Sequence, residues 1–285
     1  MKTIKYFSIL FLSLLLATSC SEDETESNTT EVDPMLDYTL LKQFENEGNT
    51  IEILSKSETL TVGYNELFVR IKDGITGNYV ANAQPNWLPV MHMQMMEHSA
   101  PFSALSAIET GTVYSGYIVF QMPGNSNEYW DLTLNYKIND VTYSAIERLE
   151  VLSPGDGLTR VQTVTGHDDV RYVLALVEPQ APEVAVQGIS ALLFTMESMM
   201  SFPIVPDYTI KIDPRMPSMG NHGSPNNKDL IYNSQARQYE GEVSFTMTGL
   251  WRLNLKLLND KGEVIKGEDI TEANPESSLY FEVEF

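Results

Sequence analysis

One pattern occurs twice in this 285-residue chain and restricts what either half can fold into. Tyr114-x-Gly116-x-x-x-Phe120-x-Met122-x-Gly124, followed by Trp130-x-Leu132-x-Leu134, returns as Tyr239-x-Gly241-x-x-x-Phe245-x-Met247-x-Gly249, followed by Trp251-x-Leu253-x-Leu255. So many matched positions in one order mark a tandem duplication. The main difference is a longer turn in the first copy, Asn125 to Tyr129 against Leu250 alone. In the second copy Tyr239, Gly241, Val243, Phe245 and Met247 alternate with Glu240, Glu242, Ser244 and Thr246. After Thr248-Gly249, Trp251, Leu253, Leu255 and Leu257 alternate with Arg252, Asn254 and Lys256. Successive strand side chains point to opposite faces, so alternation across a Gly-containing turn predicts a hairpin with one buried face. The first copy repeats this with Trp130, Leu132, Leu134, Tyr136 and Ile138 inward.

Further strands are expected at 38–44, 51–54, 66–72 and 141–151, and in the second half at 171–177, 189–196, 208–212 and 279–285. No long stretch carries a helical period. Many short strands with frequent Gly and Pro predict an all-β protein of two tandem immunoglobulin-like β-sandwich domains. Turn residues cluster at Ser153-Pro-Gly-Asp-Gly157. The expected domains are therefore 37–152 and 158–285, joined by a 153–157 linker.

The first residues belong to neither domain. A short basic start with Lys2 and Lys5 precedes an apolar run from Tyr6 to Ala17 and then Thr18-Ser-Cys20. That run falls short of the roughly 20 apolar residues a membrane span needs and reads as a secretory signal. Cys20, the sole cysteine, follows small residues after the apolar core, and the segment 1–19 resembles a bacterial lipoprotein signal that would make Cys20 the lipidated residue. Ala17 stands where such signals carry leucine. The polar, acidic stretch 20–36 is expected to be a disordered tether. It resembles the export signal of surface lipoproteins in the Bacteroidetes group, with a periplasm-facing tether as the alternative. The resemblance implies an outer-membrane lipoprotein, periplasmic or surface-exposed, that meets the membrane only through its lipid. A net charge of −21 argues against nucleic acid and anionic membrane surfaces as partners.

Four of the thirteen methionines and two of the four histidines fall between Met91 and His98. A thinner version returns at Pro214-Arg-Met-Pro-Ser-Met-Gly-Asn-His-Gly-Ser-Pro225. Aligned on histidine and proline, His92, Met95, His98 and Pro101 match Met216, Met219, His222 and Pro225. Thioether and imidazole are the soft and borderline donors that suit copper. His92, Met95 and His98, with Met91 or Met93 as additions, are the candidate ligands of a first site, and Met216, Met219 and His222 of a second. The first motif, flanked by Pro89 and Pro101, is expected to be an extended edge strand running into a loop. The second is too rich in Gly and Pro to stay a strand past Met216. The opposing reading makes the methionines core fillers and the histidines local hydrogen-bonding groups. Met122, Met247 and the Met196–Met200 segment are expected to pack, Trp130 and Trp251 to centre the two cores, and His167 to sit in a solvated turn.

Met216-Pro-Ser-Met219 with His222, followed by the hairpin from Tyr239 to Leu255, resembles the YtkA/FixH-like family. The first half carries the pattern with His92 in place of Met216 and Met93 in place of Pro217. The resemblance implies an Ig-like extracytoplasmic domain of the kind found with membrane proteins that handle copper and iron, and one of these is the implied partner. No nucleophile elbow, His-Glu-x-x-His or phosphate-binding loop occurs, so no enzyme is expected. The function expected first is copper binding, buffering or hand-off. The alternative is a structural or adhesion lipoprotein presenting the same domains to a protein or glycan.

Overall fold

The computed structural model describes residues 33–108 and 111–285. The signal segment, Cys20 and nearly all of the tether lie outside the described residues. Residues 37–285 form one compact unit. Among the described residues no helix is long and apolar enough to cross a membrane.

The first half contains β1 (Thr39–Asn46), β2 (Asn49–Ser55), β3 (Leu60–Thr61), β4 (Gly63–Lys72), β5 (Asn86–His92), β6 (Glu97–Ser99), β7 (Ser106–Ile108), β8 (Val113–Phe120), β9 (Tyr129–Ile138), β10 (Val141–Leu149) and β11 (Val151–Leu152). They build a sheet in the order β1-β2-β4-β8-β7 and a second in the order β10-β9-β5-β6. With β1 set aside, that is the ABED sheet facing the GFC sheet of an immunoglobulin sandwich, with β6 as an added C′ strand. β3 pairs in parallel with β11 and closes one side. The inward residues of the alternating strands meet in one core around Leu67, Val69, Trp87, Phe120 and Trp130.

The second half repeats this with β12 (Val161–Thr165), β13 (Arg171–Glu178), β14 (Val186–Thr195), β15 (Thr209–Met216), β16 (His222–Gly223), β17 (Lys228–Asn233), β18 (Gln238–Ser244), β19 (Leu250–Leu258), β20 (Val264–Lys266) and β21 (Leu279–Glu284). Its order is β12-β13-β14-β18-β17, continuing through β15 to β19 and β20, with β16 on β15 and β21 on β19. Here β17 pairs with β15 over Thr209–Ile210 and joins the two sheets, which stay separate in the first half. The second core gathers around Leu174, Leu193, Tyr239, Phe245, Trp251 and Phe281.

A third apolar layer lies between the two sandwiches. Val119 on β8, with Tyr64 and Tyr117 beside it, packs against Val173, Ala175 and Val177 of β13, Leu192 and Phe194 of β14, and Phe202 and Ile204. These residues sit on the outward faces of the two equivalent sheets, because their sequence neighbours Ile118, Phe120, Tyr172 and Leu174 fill the inner cores. Strands β13 and β14 are therefore apolar on both faces, as a sheet covered on both sides must be. Fully burying a Val, Leu or Phe stabilises by roughly 1.5–3 kcal/mol relative to exposure, so several such residues hold the halves against each other beyond the peptide link at 153–157.

Candidate functional site

The first methionine–histidine motif is a hairpin. Strands β5 and β6 pair Val90 with Ser99, Met91 with His98 and His92 with Glu97. The turn closes through the Met93 N–H donating to the Met96 carbonyl at 3.0 Å. The segment thus folds back instead of running on extended. β6 pairs only with Val90–His92, which leaves β5 an edge strand over the rest of its length, Pro89 included.

Residues opposite one another across a ladder share a face, and neighbouring pairs alternate. His92 and His98 therefore project to opposite faces. His98 turns inward with Met91: it is only 9 % exposed and stands edge-on to Trp130, ring centroids 5.4 Å apart. Its Nδ1 donates to the Ser99 carbonyl at 2.8 Å. A carbonyl only accepts, so Nδ1 carries a proton, and Nε2 is the nitrogen left to ligate. His92 faces outward. Its Nδ1 lies 2.8 Å from Glu97 and its Nε2 3.1 Å from Asp131, and it stacks on Tyr129. Arg148 covers the same Tyr129 ring at 3.3 Å and stands 4.0 Å from Asp131. Both His92 nitrogens are thus engaged by carboxylates at opposite ends of the ring. Met95, at the turn, is 92 % exposed. The expected trio of His92, Met95 and His98 is divided among an outer network, the turn tip and the core face. Among the described residues no three His, Cys, Asp or Glu side chains are grouped to hold a metal; thioethers stand outside that count.

The second motif leaves the strand after Met216, as its Gly and Pro content predicts. Pro217–Met219 form a 3-10 turn, and Gly220 and Asn221 follow at φ of +64° and +61°. β16 then pairs His222 with Met216 and Gly223 with Arg215. Met216 is buried, and its Cε stands 3.0 Å from the point a Gly249 Cβ would occupy. Met219 and His222 are exposed. The turn is held by polar contacts: Arg215 grips Asp213 at 2.6 and 2.9 Å, and Asn221 Nδ2 donates to the Pro275 carbonyl at 2.8 Å.

The strand registers correct the alignment of the two motifs. β5 sets Pro89 opposite Leu132, and β15 sets Pro214 opposite Leu253. Leu132 and Leu253 are duplicates, so Pro89 matches Pro214 and Met91 matches Met216. The counterpart of Met216 is Met91, not His92. The first turn is one residue longer, which hid the shift in the sequence. His98 and His222 remain counterparts, because each sits opposite the buried methionine of its own hairpin.

Most of the duplicated residues have structural duties. The Tyr114 hydroxyl accepts from the Ala83 N–H at 2.7 Å and donates to the Val80 carbonyl at 3.1 Å. The Tyr239 hydroxyl does the same for the Tyr208 N–H at 3.2 Å and the Val205 carbonyl at 2.7 Å. Burial pushes both phenols above the usual tyrosine range. The Trp130 and Trp251 indoles each donate to a methionine carbonyl, Met122 and Met247, at 3.0 Å. The side chains of those two methionines pack on their cores. His167 is an exposed turn residue.

One contact was not legible in the motifs. The Ser99 N–H, on the free side of β6, donates to the Met199 carbonyl of the second half at 2.8 Å. The methionine-rich 196–200 segment therefore lies beside the first hairpin. Its three methionines were a signal, but nothing local tied them to residues a hundred positions earlier.

No protein-family model matches the chain, and no curated protein resembles it in sequence. Among solved structures it is similar to an Escherichia coli adhesin, FdeC, at 10 % identity, covering 85 % of this chain and 65 % of that one, with a TM-score of 0.25. It is also similar to a DUF4785 family protein from Legionella pneumophila, at 9 % identity, 76 % and 54 % coverage and a TM-score of 0.26. A titin structure gives 12 % identity, 72 % and 89 % coverage and a TM-score of 0.19. Likeness of this degree says nothing about role, since one fold hosts many functions.

Proposed function

We propose that the chain is a non-catalytic structural or adhesion protein that presents two rigidly coupled Ig-like sandwiches to a protein or glycan partner. The observation that carries this reading is the apolar layer from Val119 to Phe194, which couples the halves without a ligand. The duplicated Tyr, Trp and Met residues support it, because their polar groups are committed to internal hydrogen bonds. The candidate contact surface is a groove of about 550 Å³ on the first sandwich. Leu60, Leu149 and Val151 lie along it, with Lys42, Glu58 and Arg148 among its polar groups. Incubation of residues 37–285 with arrays of glycans and extracellular-matrix proteins tests the reading. Retention that is lost in Arg148→Ala supports it. No retention on either array counts against it.

Copper binding is the second reading, and the observation favouring it is the buried methionine opposite a histidine in both hairpins. Membrane anchoring through Cys20 and kinship with YtkA/FixH-like domains belong to the same proposal. Calorimetric titration with Cu(I), set against His98→Ala/His222→Ala, tests it; equal heat in the double variant would sink it.

A further inference from the structure

We propose that the chain holds one soft-cation site, not two, and that it lies at the junction of the sandwiches, with His98, Met96 and Met199 as ligands for a monovalent d10 ion such as Cu(I). This rests on the second reading above and is independent of the scaffold reading. The backbone carries the argument. The bond from the Ser99 N–H to the Met199 carbonyl, at 2.8 Å, holds the 198–201 turn of the second half against β6. Met199 is thereby brought beside the sequence neighbour of His98. The hydrogen bond orients the histidine for this role, because Nδ1 is fixed on the Ser99 carbonyl and Nε2 is the nitrogen left to ligate. Met96 closes the turn of the same hairpin, and both Met96 and Met199 are exposed.

The second hairpin lacks this arrangement. Its histidine, His222, is exposed where His98 is buried, and its buried Met216 is the counterpart of the equally buried Met91. Where the first hairpin meets a methionine-rich segment, the second meets Pro275, whose carbonyl accepts from Asn221. A thioether and an imidazole from the first half with a thioether from the second give the low-coordinate set that soft ions accept. An ion bound there would tie the sandwiches together and stabilise the folded pair by mass action.

The experiment is titration of residues 37–285 with Ag(I), a redox-inert stand-in for Cu(I), followed by calorimetry and by methionine methyl NMR. The expected result is one equivalent, with Met96 and Met199 methyl resonances shifted, and affinity weakened by more than about tenfold in Met199→Leu. Met219→Leu and His222→Ala should leave the equivalent intact. Met199→Leu changes an exposed side chain to a similar volume, and a parallel melt confirms that it folds. Binding that survives Met199→Leu and fails with Met219→Leu overturns the junction site but spares the two-motif copper reading. No binding at all overturns both and leaves the scaffold reading standing.

Discussion

The two hairpins descend from one sequence and now differ in almost everything except their buried methionine. In the first, four residues turn tightly between His92 and Glu97, and the far side of β6 rests on the other half of the molecule. In the second, a 3-10 turn with two positive-φ residues leads to a two-residue strand that pairs only with β15. The strands that follow do not pair as the alternation predicted: β8 lies between β4 and β7 and β9 between β5 and β10, and β18 and β19 likewise pair with other strands and not with each other. Yet both copies have kept their tyrosine and tryptophan hydrogen bonds. The difference teaches where duplication preserves and where it permits change. Residues that satisfy buried backbone groups are held in place by the cost of leaving those groups unpaired, about 1–3 kcal/mol each. Residues on a turn are free to drift.

The largest test of the conserved side is removal of the two tryptophans. Trp130 and Trp251 are both fully buried, so each change to Ala should cost about 3–5 kcal/mol in urea unfolding. Equal losses would show that the two cores depend on the same residue to the same degree. A loss below about 1 kcal/mol in either half would break the equivalence.

A smaller effect should separate the two duplicated glycines. A Cβ on Gly241 would lie 2.5 Å from the Lys228 carbonyl oxygen, a backbone atom of the paired strand β17. A Cβ on Gly116 would meet the Trp87 ring at 2.7 Å and Ser103 Oγ at 3.0 Å. Side chains yield more readily than a strand, so Gly241→Ala should be the worse change, near the upper end of the roughly 1–3 kcal/mol seen for overpacking. Equal thermal shifts for the two variants would count against that assignment.

How much of this was legible follows from the range of each interaction. Alternation is local, so the strands, the all-β class and the inward tryptophans could be read directly. The double-sided burial of β13 and β14 was written in the unbroken apolar runs 172–177 and 191–194, but what covers their outer face depends on a partner far along the chain. The motif alignment was out by one position because a strand's face is fixed by its register with β9 or β19, a long-range pairing that spacing within the motif does not encode. One residue of slip moves a side chain to the other face, and that is how His92 came to stand for Met91.

The tyrosine pair gives a further step down in size. Tyr114→Phe and Tyr239→Phe each leave one N–H and one carbonyl without the bridging hydroxyl, at about 2 kcal/mol. Both phenols titrate above the usual range in the folded chain. Above about pH 10 the unfolded chain therefore sheds protons that the folded one retains, and stability falls as pH rises. Each Phe variant should be less stable near neutrality and should lose less on moving to higher pH. A parallel pH dependence in variant and parent would remove the burial explanation.

The smallest effects belong to the histidines, and there the comparison is sharpest. His222 is exposed, so His222→Ala should change stability by less than about 0.5 kcal/mol. His98 packs edge-on to Trp130 and hydrogen-bonds its neighbour's carbonyl. His98→Ala should cost about 1–2 kcal/mol through lost packing and the bond left unmade. If duplication had kept both histidines for the same structural reason, the two costs would match. Unequal costs mean that only His98 is held by the fold. The retention of histidine at the exposed position 222 then needs a cause other than stability, which the Ag(I) titration either supplies, by a second bound equivalent, or denies.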